Sequence, residues 1–463
     1  MTTILCSDRL GAVELEGVAM VDEMCRRPDF GDLGDGAMVL GVCPGEFSRG
    51  HLQRALRKAG RDPFGVEILQ IGDADVADPA RLRTRIGALE ARAAEFGGSG
   101  PEHARLHAAE GVSRRALLTL AVPEYRVAPA AVPALCAAED GCAACVEVCP
   151  HKAIEWGSAT VSVDRTECAS CGRCVGVCPT GAMVNPAFTS KQLASEVGAL
   201  IKGAPDAPGV AFVCARGSIA VDDTAWYPVQ VPCVTMLPPH WILTPLLMGA
   251  SAVTVAACGC GIEEDADERA AGALAFARNW AGEHQIADRM MALDGSPPEG
   301  APEAAALTDP FGPLAAAEVA SALAGSIEGD RSPLGMISID PDICTGCEMC
   351  GRVCPTGAIT NSREGGMLEI RFDPARCTAC ATCLPSCPEQ GAIRLDRMVD
   401  ASEIAVGRRT MVTHEFRTCS RCEGEVATTA ALDKIAATLG DHPAMETLMT
   451  LCLDCRGSTR MTF

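Results

Sequence analysis

Cys344-Thr345-Gly346-Cys347-Glu348-Met349-Cys350-Gly351-Arg352-Val353-Cys354-Pro355 is the stretch on which the reading of this chain turns. Its spacing, C-x2-C-x2-C-x3-C-P, recurs at Cys377, Cys380, Cys383, Cys387-Pro388 and at Cys168, Cys171, Cys174, Cys178-Pro179. A fourth copy, Cys136, Cys142, Cys145, Cys149-Pro150, opens with five intervening residues, and Glu139 stands where the strict run would place a cysteine. Sixteen of the 27 cysteines thus fall into four runs, and the runs into two pairs. Three closely spaced thiolates can wrap a loop around an iron–sulfur cube, and the fourth cysteine of each run ligates the cube of its neighbour.

The crossed rule gives four ligand sets. In the first pair they are Cys136, Cys142, Cys145 with Cys178, and Cys168, Cys171, Cys174 with Cys149. In the second they are Cys344, Cys347, Cys350 with Cys387, and Cys377, Cys380, Cys383 with Cys354. Proline after each fourth cysteine fixes the backbone where the chain leaves the cage. Small residues such as Gly172, Gly346 and Ala379 let backbone N–H groups approach the sulfurs. Structural zinc also uses cysteine sets, but its sites seldom recur as four-cysteine runs each closed by proline.

Composition narrows the partners. A net charge of −21 excludes the clustered basic surface that nucleic acid requires and favours docking against basic patches on redox proteins. Aromatics are only 4%, so bound clusters are expected to anchor the small modules. So many cysteines at metal-ligand spacing imply a reducing compartment, and the start of the chain lacks the pattern of a signal peptide, which points to the cytoplasm. Ser113-Arg114-Arg115 resembles a twin-arginine signal but lies far from the start and reads as chance. Trp241 to Ile262 carries no charge, yet Pro245 and Gly249 divide it into a short helix and a buried strand, so no membrane span is expected.

The expected fold class is multidomain α+β: two ferredoxin-like dicluster modules interleaved with two small α/β domains and closed by a zinc-ribbon-like knuckle. An α/β domain occupies residues 1–110, with a strand over Ala37–Val42, a helix capped by Ser48, a strand over Val66–Ile71 and a helix presenting Leu82, Ile86 and Leu89. Gly97–Pro101 reads as a linker within its final part. The modules lie at 132–186 and 336–400 and the second α/β domain at 187–293. Residues 294–335 read as a flexible connection and 408–463 as the knuckle.

The paired runs, with Cys178-Pro179-Thr180-Gly181-Ala182 and Cys354-Pro355-Thr356-Gly357-Ala358, resemble the two-[4Fe–4S] ferredoxin family. That resemblance implies at least four [4Fe–4S] clusters. Gly41-Val42-Cys43-Pro44 and Leu56 to Phe64 are similar to the N-terminal domain of the flavin-bearing component of heterodisulfide reductase. It implies a site at Cys6, Cys25 and Cys43, with Asp8 where that family has a further cysteine. No G-x-G-x-x-G follows a strand, so the flavin chemistry of that component is not carried over. Phe212-Val213-Cys214, Val231-Pro232-Cys233 and Gly249 to Cys258 resemble the delta subunit of methyl-viologen-reducing hydrogenase. That family places five cysteines around a [2Fe–2S] cluster; here Cys214, Cys233, Cys258 and Cys260 are present. An additional [2Fe–2S] or [4Fe–4S] cluster in the α/β domains, buried inert cysteines or an empty docking domain all stay open. The segment His414 to Cys419, with Cys422, Cys452 and Cys455, resembles knuckles of ferredoxin-like proteins found with formate dehydrogenases. Zinc on those four cysteines is the first reading, a fifth cubane the second.

Together these readings give an electron-transfer subunit. It relays single electrons between a catalytic oxidoreductase of formate dehydrogenase, hydrogenase or heterodisulfide reductase type and an acceptor. The alternative is a redox sensor or an assembly factor for a metalloenzyme.

Overall fold

The computed structural model describes residues 2–10, 15–26, 28, 30, 38–98, 104–107, 124–217, 221, 224–261, 265–282, 284–440 and 442–457. The linker reading at 99–101 and the Ser113-Arg114-Arg115 motif lie outside them. Two units separate: Met1–Cys136 with Ala144–Leu323, and Ala137–Ala143 with Ala324–Phe463.

The first unit begins with a four-stranded parallel sheet in the order Val18–Val21, Thr2–Cys6, Met38–Val42, Val66–Gln70. Alternation along each strand decides which face a side chain joins. Ile4, Cys6, Leu40 and Val42 face Leu52 and Leu56 of the helix Arg49–Lys58. Leu5, Val39 and Leu69 face Leu82, Ile86 and Leu89 of the helix Pro79–Ala94. Both helices start on side-chain caps: Ser48 accepts from His51 N, and Asp78 accepts from Ala80 N and Arg81 N with Pro79 at the first helical position.

A second parallel sheet runs Trp226–Val231, Gly209–Cys214, Ala252–Val255. The helix Ser190–Gly203 begins in a capping box between Thr189 and Gln192 and packs on the helix Pro79–Ala94. The seam between the two α/β domains is buried and ionic. Arg92 reaches Glu67 at 3.1 Å and Glu196 at 2.9 Å. Arg81 pairs with Asp75 at 3.1 Å and donates to Thr224 O at 2.7 Å and Trp226 O at 2.6 Å. Removing one partner of a buried pair strands the other charge and typically costs about 3–5 kcal/mol, so the seam fixes one relative placement of the domains.

The uncharged stretch from Trp241 forms the helix Pro239–Met248, ended by Gly249 in the left-handed region, and then the strand Ala252–Val255. Among the described residues no helix is long and apolar enough to cross a membrane. Residues 294–335 read from composition as a flexible connection; of these, Gly295 to Leu323 are instead pinned to this region, and Ser326–Glu328 and Gly335 join strands of the second unit. Trp226 Nε1 donates to Gly295 O at 2.8 Å, Ala305 N to Leu247 O at 2.8 Å and Thr244 Oγ1 to Pro310 O at 3.0 Å. Phe311 is fully buried edge-on to Trp241, 5.9 Å between ring centroids, and the helix Ala315–Leu323 packs on the helix Pro239–Met248. The segment is apolar where it covers that helix and irregular elsewhere.

The second unit is antiparallel. One sheet orders Ser326–Glu328, Ile393–Asp400, Gly335–Ile339; the other orders Ile359–Glu364, Met367–Phe372, Arg409–Thr418, Glu425–Thr428. The strands Ile359–Glu364 and Met367–Phe372 join through Gly365 and Gly366, both at positive φ (58° and 78°), as the tightest hairpin turns require. The strand Arg409–Thr418 makes the C-terminal segment an extension of the module's own sheet.

Burial pushes the Glu196 carboxyl up to about 7, with Arg92 opposing. A carboxyl raised in the folded state stabilises below its ordinary value and loses that contribution as pH rises through the folded value. Glu196→Gln is therefore expected to flatten the loss of stability between about pH 4.5 and 7, a slope worth roughly 3 kcal/mol. All four tryptophans lie in the first unit, so denaturant melts followed by their fluorescence report it. An unchanged slope would mean Glu196 does not titrate there.

Candidate metal centres

In the second unit the two cysteine runs enclose two cavities. One is lined by Cys344, Cys347, Cys350 and Cys387, with Ile339 and Ile370. The other is lined by Cys354, Cys377, Cys380 and Cys383, with Ile337 and Leu395. Each holds three cysteines of one run and the last of the other. The loops can curl this tightly because several residues take left-handed backbone: Gly346 (φ 67°), Glu348 (63°), Ala379 (52°) and Ala381 (61°). Ile359 N donates to Cys354 Sγ at 3.4 Å. Such N–H···S bonds stabilise the more negative, reduced state of a cluster and raise its potential. Burial and neighbouring sulfurs push the Cys350, Cys377 and Cys383 thiols up to about 12, so loading these sites has to displace protons.

The first module repeats the pattern. Ser170 (φ 56°) and Gly172 (82°) bend the loop from Cys168 to Cys174, and Ser170 N donates to Cys168 Sγ at 3.4 Å. Ala153 N donates to Cys149 Sγ and Met183 N to Cys178 Sγ, both at 3.4 Å. Cys174 is raised well above the ordinary thiol value by burial, then by Cys171, Cys168, Cys145 and Cys149, which places Cys149 beside the other run. The longer opening of the first run folds back on itself: Gly141 N donates to Ala138 O and Cys142 N to Ala137 O. Cys136 follows the turn Pro133–Leu135, and Cys145 lies in the helix Ala144–Val148.

The remaining cysteines converge in three compact groups, the sulfurs of each lying within 4.8 Å of one another. Cys214, Cys233, Cys258 and Cys260 meet where the second parallel sheet ends, with Cys233 Sγ 3.5 Å from Cys258 Sγ and Cys258 Sγ 3.0 Å from Cys260 Sγ. A hydrogen bond from Cys214, and others from Thr235, pull Cys233 down to about 5 while Cys214 is pushed up. Cys6, Cys25 and Cys43 meet at the same edge of the first sheet, all buried. Asp8 is not in that group; its carboxylate accepts from Glu23 N at 3.0 Å. Cys419, Cys422, Cys452 and Cys455 form the third group, with Cys422 Sγ 3.5 Å from Cys452 Sγ. Backbone donors, Cys452 N foremost, hold Cys419 down to about 6.

Three side chains that no motif flags touch the cysteine loops. Arg216, two residues past Cys214, donates to Ala169 O and Ser170 O at 2.8 Å each, tying the four-cysteine edge to the loop of Cys168 and Cys171. Met236 lies over Gly172, where a Cβ would sit 2.9 Å from its sulfur. His414, on the strand Arg409–Thr418, places Nε2 3.4 Å from Cys344 Sγ, and a Cβ on Gly346 would stand 2.8 Å from its ring. Burial lowers the His414 pKa, and the tautomer of the ring decides which atom donates in this contact; toward a cluster-bound thiolate, which carries no proton, the donor is an Nε2–H.

Residues 140–182 match a 4Fe-4S dicluster domain family, and residues 343–393 match a second one. The chain carries two 4Fe-4S dicluster domains. Its role is iron–sulfur electron transfer. The first match takes in every cysteine of its pair except Cys136, and the second takes in all eight of its own. No curated protein matches the chain. The cavities of the second domain fit such a group by their donor set, four converging thiols with backbone N–H donors such as that of Ile359.

His414→Leu removes a donor to Cys344 while keeping an apolar filling. It is expected to lower the potential of one cluster of the second domain and leave the others in place in an EPR-monitored redox titration. Identical potentials in both proteins would deny His414 that role.

Proposed function

We propose that this chain is the multicluster relay subunit of a redox complex, passing single electrons between a catalytic oxidoreductase and an acceptor through at least four [4Fe–4S] clusters. The ligands are Cys136, Cys142, Cys145 with Cys178; Cys168, Cys171, Cys174 with Cys149; Cys344, Cys347, Cys350 with Cys387; and Cys377, Cys380, Cys383 with Cys354. The observation that carries this reading is the pair of cavities in the second domain, each lined by three cysteines of one run and the last of the other. Crossed ligation keeps two cages of one domain close, as one-electron hopping requires. The thiolates act as ligands and not as nucleophiles, and each cage supplies a one-electron couple when bound.

The partner is an oxidoreductase of formate dehydrogenase, hydrogenase or heterodisulfide reductase type, a choice that rests on the sequence resemblances. The acidic chain suits docking to a basic face on that partner. Cys419, Cys422, Cys452 and Cys455 hold zinc, which is redox-inert and closes the C-terminal segment onto the sheet.

Crossing makes a specific prediction. Cys354→Ala is expected to disturb the cluster whose other ligands are Cys377, Cys380 and Cys383, and to spare the one in its own run. EPR of anaerobically purified protein should show one altered [4Fe–4S] signal, whose identity a Cys380→Ala variant reproduces. If Cys354→Ala instead matched a Cys347→Ala variant, the ligation would be uncrossed. Purified with its partner, the dithionite-reduced chain should reoxidise through that partner during turnover. Reduction without onward transfer would favour a sensor.

A further inference from the structure

The two α/β domains share more than their class. Both are parallel sheets in which the first strand of the domain lies between the second and the third. In both, the first strand ends in a cysteine: Cys6 closes Thr2–Cys6, and Cys214 closes Gly209–Cys214. The second cysteine follows the second strand, Cys25 after Val18–Val21 and Cys233 after Trp226–Val231. The third follows the third strand, Cys43 after Met38–Val42 and Cys258 after Ala252–Val255. Cys25 lies nineteen positions after Cys6, and Cys233 nineteen after Cys214. The carboxyl edge of a parallel sheet is where such folds seat ligands. Three strand ends there deliver three thiols to one point, twice in the same chain.

The spacing of the sulfurs says what that point can hold. Around a single thiophilic ion with metal–sulfur bonds of about 2.3 Å, tetrahedral geometry sets sulfur–sulfur edges of about 3.8 Å. In a [2Fe–2S] cluster the bridging sulfides hold the thiolates of one iron well away from those of the other, and in a cubane all four ligands stand apart. All four sulfurs at the second sheet lie within 4.8 Å of one another, as do the three at the first. Among the described residues, no group of cysteines from the dicluster domains draws together this closely. The [2Fe–2S] cluster implied by resemblance for Cys214, Cys233, Cys258 and Cys260 therefore does not fit the geometry.

We infer that the two α/β domains are copies of one mononuclear metal site. Cys214, Cys233, Cys258 and Cys260 form a closed tetrathiolate, and Cys6, Cys25 and Cys43 form a three-thiolate version whose fourth position is left to a non-protein ligand. The ligand class is one divalent thiophilic ion, zinc or ferrous iron. Gly45 stands at the position that corresponds to Cys260, two residues past the third cysteine, so the sequence itself removes the fourth thiolate. The second site touches the Cys168–Cys171 loop through Arg216, so iron there would lie beside a cluster of the first dicluster domain, whereas zinc would be structural.

The inference is independent of how many cubanes the chain carries, because [4Fe–4S] and [2Fe–2S] clusters contain one acid-labile sulfide per iron and a single ion contains none. Iron, zinc and sulfide measured on the anaerobically purified full chain should show total metal exceeding sulfide by three equivalents, one of them from Cys419, Cys422, Cys452 and Cys455. Cys233→Ser and Cys25→Ser should each remove one metal and no sulfide, with the [4Fe–4S] EPR signals intact; whether zinc or iron falls identifies the ion. Metal equal to sulfide would overturn the inference. So would loss of two irons with two sulfides in either variant, or an excess of one that only Cys422→Ser removes. If a variant fails to fold, the metal-to-sulfide ratio of the unaltered protein still decides. Absence of the [4Fe–4S] signals in that protein would count against the relay and leave the excess readable.

Discussion

How far apart the backbone holds its thiols governs what each part of this chain can bind. Thiolates that surround a cage must stand off from one another, whereas thiolates on a single ion must close in. The chain uses two kinds of local structure to set those distances. Short loops bent by left-handed residues hold the dicluster cysteines around two small cavities in the second unit. Strand ends at the edge of parallel sheets bring the remaining α/β cysteines within 4.8 Å. Hydrogen bonding, burial and proton affinity follow from those placements.

Around the loops the protein supplies what bare cages lack. Backbone N–H groups at Ala153, Met183 and Ile359 reach the fourth cysteine of their runs at 3.4 Å each. The neighbouring elements then press on the glycines of the loops, Met236 on Gly172 and His414 on Gly346. A side chain at either glycine would meet both strain at positive φ and a clash below 3 Å, so these positions are glycine for packing as much as for backbone approach to sulfur. Potential tuning and domain packing thus meet at the same residues.

The first unit depends on charge where most seams depend on apolar area. Arg81, Arg85 and Arg92 leave one helix to reach the buried carboxylates of Asp75, Glu67 and Glu196 and the backbone carbonyls of Gln70, Thr224, Trp226 and Gln230. Such pairs add little net stability over apolar packing, but a slipped arrangement would leave charges unpaired in a medium that cannot solvate them. The consequence is a single registry between two sheets whose cysteine edges need fixed surroundings.

What could be read in the sequence was what is local. The C-x2-C-x2-C-x3-C-P runs, the Ser48 and Thr189 caps and the strand–helix alternation near Met38 and Gly209 depend on residues a few positions apart, and spacing exposes them. The convergence of Cys6 with Cys25 and Cys43 was legible only through a resemblance and not from spacing, while the reach of Arg216 to Ala169, the contact of His414 with Cys344 and the pinning of Gly295 to Leu323 depend on partners tens of residues away. Composition made that last segment look loose, because alanine, proline and glycine say nothing about an apolar helix waiting to be covered. By itself the sequence determined that this is an iron–sulfur protein, since ligand spacing within a loop is a covalent property. Only the tertiary structure decided how closely the other thiols approach one another, because strand order and sheet edge are set by packing and not by adjacency along the chain.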